Sequence, residues 1–113
     1  MSPITTHVLD TAKGCPAQGL TITLKQQNSD GSYRTLAQGK TNSDGRITDL
    51  LQPNSLVVGT YQMHFDTGGY FRDNQNEGFY PEATITFTIK NTTEHYHIPL
   101  LLSPYGYTTY RGS

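Results

Sequence analysis

Apolar and polar residues alternate one for one through four stretches of this chain, and that period of two commits it to β-structure. Leu20, Ile22 and Leu24 alternate with Thr21, Thr23 and Lys25. Tyr61, Met63 and Phe65 alternate with Gln62, His64 and Asp66, and Ile85, Phe87 and Ile89 alternate with Thr84, Thr86, Thr88 and Lys90. Near the end, Tyr96, Ile98, Leu100 and Leu102 form a fourth apolar row. Side chains on a strand point alternately to its two faces, so each row is a core face with Thr, Lys or His opposite.

Turn residues cut the chain at intervals of roughly ten residues, the rhythm of an antiparallel sandwich. Lys13-Gly14-Cys15-Pro16 ends a first strand expected over about residues 4–11. Asn28-Ser29-Asp30-Gly31-Ser32 links two antiparallel strands, and Asn42-Ser43-Asp44-Gly45 makes a second tight turn before Arg46; Asp-Gly supplies the positive φ such turns need. Asp66-Thr67-Gly68-Gly69 ends a strand, and Asn91-Thr92-Thr93 is the last hairpin before His95. Only residues 70–76 read as helical, for about two turns, closed by Gly78. The expectation is seven or eight short strands in one domain.

A chain of 113 residues supports a single thin core, and a deep private cleft is hard to carve from so small a body. A sizeable site is therefore expected to be shared between subunits. The net charge of −1, with eight Lys and Arg scattered along the chain, argues against a nucleic-acid or anionic-membrane surface. The single cysteine, Cys15, excludes an intrachain disulfide, and its turn setting reads as an incidental thiol. No stretch is apolar enough to span a bilayer. Met1-Ser2-Pro3-Ile4 lacks the features of a secretory signal, so a cytoplasmic location is expected, with periplasm or peroxisome open for a processed form.

The chemistry gathers at the C-terminus. His95 and His97 share the outward face of the fourth row, with Pro99 and Leu101. An outward row that is partly apolar reads as a subunit contact, where water is partly excluded. His7 belongs to the outward face of the first strand. Imidazoles titrate near neutrality and serve as base and acid. Arg46 follows an Asp-Gly turn, where it is either solvated or positioned to hold an anion or orient a histidine. Arg111 sits beside Gly112, which permits close backbone approach, and Ser113 adds a hydroxyl and a carboxylate. His-x-His on a strand also suits a metal, but no Cys or carboxylate completes a ligand spacing, so no metal is expected.

Three motifs, in order along almost the whole chain, then narrow the reading. The ending from His95 to Tyr110-Arg111-Gly112-Ser113 closely resembles the signature of the 5-hydroxyisourate hydrolases, transthyretin-related enzymes of urate breakdown. His7-Val8-Leu9-Asp10-Thr11, with Gly14 and Pro16-Ala17, matches their opening motif, and Thr41-Asn42-Ser43-Asp44-Gly45-Arg46 matches their middle one. Thr108 and Tyr80 depart from the usual Ser and Phe. The resemblance implies a prealbumin-like sandwich of two four-stranded antiparallel sheets with one short helix. It implies a homotetramer with sites where dimers meet. It implies that His7, Arg46 and His97 carry catalysis, that Tyr110, Arg111, Gly112 and Ser113 bind substrate, and that no cofactor takes part. The implied reaction is hydrolytic opening of the six-membered ring of 5-hydroxyisourate. Two other functions fit such a sandwich: a transthyretin-like carrier of aromatic ligands, and a zinc-binding structural protein using His7, His95 and His97.

Overall fold

The computed structural model describes residues 2–112. Eight strands and one helix follow in the order β1 (Ile4–Asp10), β2 (Cys15–Pro16), β3 (Thr21–Gln27), β4 (Tyr33–Lys40), β5 (Gly59–Phe65), α1 (Thr67–Asp73), β6 (Ala83–Ile89), β7 (Tyr96–Ser103) and β8 (Gly106–Thr109). They form two four-stranded sheets, ordered β2-β1-β7-β8 and β4-β3-β5-β6. Among the described residues no helix is long and apolar enough to cross a membrane.

The alternating rows become the core. Ile22, Leu24, Met63, Phe65 and Ile89 from one sheet, and Ile4, Val8, Leu100 and Leu102 from the other, are essentially inaccessible to solvent. Burying a side chain of this size stabilises the fold by about 1.5–3 kcal/mol. Ile85 and Phe87 also face inward but stay half-buried. They belong to β6, an edge strand. Together with Tyr96, Ile98 and Thr109 they line a shallow pocket at the open side of the sandwich.

Helix α1 begins at Thr67, before the expected start at residue 70, and runs through Gly68 and Gly69. Asp66 explains the difference: its carboxylate accepts from the Gly69 N–H at 3.0 Å and caps the helix. Tyr70 anchors α1 to β1. Its hydroxyl donates to the buried Asp10 carboxylate at 2.7 Å, and the Lys13 N–H donates to the other oxygen at 3.0 Å. Burial, foremost, and Asp10 hold the Tyr70 hydroxyl protonated. The short β2, formed by Cys15 and Pro16 where a turn is expected, pairs with the end of β1.

Every strand pair is antiparallel but one. β1 and β7 run parallel, with Thr5 opposite His97, His7 opposite Pro99 and Leu9 opposite Leu101. No hairpin joins these two strands, so no turn dictates their direction. Odd-numbered residues of both strands therefore face outward together, and even-numbered ones face the core.

Candidate active site

The outward face of β1 and β7 gathers the three residues expected to carry catalysis. His7 and His97 are both half-buried there, on neighbouring strands. Arg46 reaches the same face by way of a turn. Asn42 folds that turn on itself: its side chain accepts from the Asp44 N–H at 2.9 Å and the Arg46 N–H at 3.1 Å. Gly45 takes the positive φ of 73° that the turn demands, and its carbonyl accepts from the Val8 N–H at 2.9 Å. Arg46 is thereby bridged to His7, antiparallel.

The tail closes the opposite side. The Gly112 N–H donates to the His97 carbonyl at 2.9 Å. A Cβ on Gly112 would lie 2.4 Å from Cδ2 of the His97 ring, so only glycine lets the tail lie this close. Arg111, one residue earlier, projects elsewhere. Its guanidinium lies 4.6 Å from the Tyr96 ring centroid and 3.1 Å from the Glu94 carboxylate. Tyr96 belongs to the inward row of β7, and Arg111, Tyr110 and His97 line the same pocket as Tyr96. Tyr110 is exposed. Ser113 lies outside the described residues.

Thr5 joins two of the histidines. Its hydroxyl is 2.8 Å from His97 Nδ1 and 3.0 Å from His95 Nε2. Nothing in the sequence singles out this threonine. Alternation puts it on the His7 face, but its contact with His97 depends on the parallel pairing of β1 and β7. Thr5, Thr6, Arg46, Ile47, Thr48, His95 and His97 line a pocket of about 370 Å³. His64 is remote from it in sequence and role: its Nε2 meets the Glu82 carboxylate at 2.9 Å on the other sheet. Among the described residues no three His, Cys, Asp or Glu side chains gather as metal ligands.

Burial, foremost, and then the charges of Arg46, His95 and His7 hold His97 below the ordinary imidazole value of 6.5; the Thr5 backbone partly opposes them. His97 therefore favours its neutral form more than a free imidazole does, the form that can accept a proton. An unfolded imidazole takes a proton below 6.5 where His97 resists it, so this residue withdraws stability as pH falls through that value. We expect the NMR titration midpoint of His97 to lie below 6.5 and Arg46→Gln to raise it. A midpoint unmoved by that substitution would show that the guanidinium field does not reach the ring.

Residues 4–112 match the sequence profile described as "Transthyretin: HIUase/Transthyretin family". The chain belongs to the HIUase/Transthyretin family. It is 49% identical to a 5-hydroxyisourate hydrolase from Mus musculus over 113 residues, covering 99% of this chain and 96% of that protein. It is 44% identical to a 5-hydroxyisourate hydrolase from Salmonella dublin, covering 97% of this chain and 80% of the other. Among solved structures, transthyretin of sea bream in complex with thyroxine superposes with a TM-score of 0.94 at 31% identity, covering 98% and 95% of the two chains. The 5-hydroxyisourate hydrolase of Klebsiella pneumoniae superposes with a TM-score of 0.84 at 36% identity, covering 97% and 98%. Within this family backbone likeness does not separate carriers from hydrolases, because both fit the same sandwich. The side chains on the β1–β7 face have to decide.

Proposed function

We propose that this chain hydrolyses 5-hydroxyisourate to 2-oxo-4-hydroxy-4-carboxy-5-ureidoimidazoline in urate degradation. The observation that carries the proposal is the outward face of β1 and β7, where a neutral, half-buried His97 lies under the field of Arg46 and one strand from His7. The naming of its relatives as 5-hydroxyisourate hydrolases supports it.

Water is a poor nucleophile until a base takes its proton, and the carbonyl it attacks becomes an oxyanion that needs a positive partner. His97 and His7 bind the water; one removes its proton and the pair returns it to the leaving ring nitrogen. Arg46 supplies positive charge for the oxyanion and keeps His97 neutral. Tyr110, Arg111, Gly112 and Ser113 form the substrate-binding tail. Gly112 holds that tail against His97, and Arg111 leaves the Tyr96 ring to meet the substrate's carbonyl edge. The chain acts as one domain in a homotetramer, with the β1–β7 faces meeting between dimers. The half-buried Leu9 and Leu101, opposite one another on that face, support the assembly. A cytoplasmic location belongs to the same proposal.

Freshly generated 5-hydroxyisourate, followed by ultraviolet absorbance, tests the reaction directly. We expect decay well above the spontaneous rate; the spontaneous rate alone would refute the assignment. The likeness to thyroxine-bound sea bream transthyretin favours a second reading, a carrier, which predicts aromatic-ligand binding without turnover. Residues added after Ser113 should damage turnover, and full activity of such an extended protein would exclude the tail from the site.

A further inference from the structure

We propose that the Thr5 hydroxyl is a proton bridge between His97 and His95, so that a proton taken up at Nε2 of His97 is balanced by one leaving Nδ1 toward His95. This rests on the hydrolytic reading above. It makes Thr5 a positioning residue and gives the exposed His95 a task.

The geometry suits the role. Thr5 is opposite His97 in the parallel register of β1 and β7. One hydroxyl lies within hydrogen-bond distance of both rings, 2.8 Å from Nδ1 of His97 and 3.0 Å from Nε2 of His95. A hydroxyl has one hydrogen to donate and lone pairs to accept. Its one hydrogen can serve only one of the two imidazole nitrogens, so in the bridge it accepts from one and donates to the other. Two states satisfy that rule. In the first, His97 Nδ1–H donates to Thr5 and Thr5 donates to His95 Nε2, which leaves His97 Nε2 a bare base in the pocket. In the second, both hydrogen bonds are reversed and His97 Nε2 carries the proton.

Catalysis moves the system from the first state to the second. As a water O–H bond breaks, its proton goes to His97 Nε2. The remaining hydroxide bonds to the substrate carbonyl carbon, and the carbonyl π pair moves to oxygen. The His97 Nδ1 proton passes to the Thr5 oxygen, and the Thr5 proton passes to His95 Nε2. His97 is then neutral with a proton on Nε2, and His95 is the imidazolium. When the ring C–N bond breaks, the leaving nitrogen takes the Nε2 proton, and the bridge runs backward to restore the first state. The proton from water ends on the product, and both histidines and Thr5 end as they began.

The electrostatics favour exporting the charge. His97 is half-buried and lies in the field of Arg46, His95 and His7, so an imidazolium held there is opposed by burial and by like charge. His95 is the more exposed of the two on this chain, so a cation there loses less hydration than one on His97.

Three variants test the bridge. Thr5→Val keeps the shape and removes the hydroxyl, Thr5→Ser restores it, and His95→Phe removes the exposed acceptor. We expect Thr5→Val and His95→Phe each to lower kcat by about 10- to 100-fold. Thr5→Ser should stay within about threefold of wild type, and the double variant should lose no more than either single one. ¹⁵N NMR of the histidine rings, without substrate, should show the proton on Nδ1 of His97 in the wild type and a shift toward Nε2 in Thr5→Val. Wild-type kcat and tautomer in Thr5→Val, or full additivity in the double variant, would overturn the bridge. If the wild type fails to turn over 5-hydroxyisourate, the hydrolytic reading fails, while the substrate-free tautomer measurement still decides whether Thr5 sets the His97 proton. His95 is on the surface, so its variant supplies the kinetic test if Thr5→Val folds poorly.

Discussion

Replacing His97 with asparagine is expected to lower kcat for 5-hydroxyisourate by ~10²–10⁴-fold while the assembly stays intact. That loss corresponds to about 3–5 kcal/mol of transition-state stabilisation. Asparagine nearly matches the span of the ring from Cβ to Nδ1, so its amide can still meet Thr5. It cannot take a proton from water. His97 is half-buried rather than locked in the core, and its backbone carbonyl would still accept from Gly112. The fold should therefore survive, and size-exclusion chromatography and thermal melting will check that it does. Full activity would remove His97 from the chemistry. A loss confined to KM would make it a binding group only.

Gly45→Ala carries the largest expected effect on stability. Gly45 sits at a φ of 73°, where a Cβ costs about 1 kcal/mol or more. The added carbon would also lie 2.4 Å from the Val8 carbonyl oxygen and 3.1 Å from Cβ of Pro16. Both belong to strands that frame the site, and the Val8 carbonyl already accepts from the Ala17 N–H at 2.9 Å. Neither backbone can give way without breaking a hydrogen bond. We expect a destabilisation of about 2–4 kcal/mol, visible as a fall in Tm of roughly 8–16 °C. Activity should fall as well, because the displaced turn carries Arg46 away from His7. A melting curve matching wild type would mean that the turn relaxes freely, and that its contact with β1 does not hold the site.

These two residues differ in how openly the sequence announces them. Gly45 follows Asp in a polar cluster between two strands, and local turn chemistry alone points to it. His97 is harder. Alternation shows that it faces outward with Pro99 and Leu101, but not what it faces. The core rows through Ile22, Met63 and Leu100 were legible for the same local reason, since a period of two sorts side chains without any knowledge of neighbours. Helix α1 starts early because Asp66 caps it through two glycines that propensity alone would leave in a turn. Thr5 was invisible because its partners lie 90 and 92 positions away. Only strand order and direction bring it to His95 and His97. Arg111 shows the converse. The motif names it beside Gly112, yet its guanidinium lies over the Tyr96 ring and beside Glu94, contacts that no local pattern announces.

The parallel union of β1 and β7 also sets a schedule for biosynthesis. After β1 a ribosome must add about ninety more residues before the partner strand exists. During that interval the β3–β4 hairpin and the strands that follow can pair as they emerge, while the first strand waits with one edge bare. His97 and Thr5 meet only once β7 has been made and docked beside β1. A polypeptide ending before residue 96 would hold every strand of one sheet and lack the partner that brings His97 to Thr5.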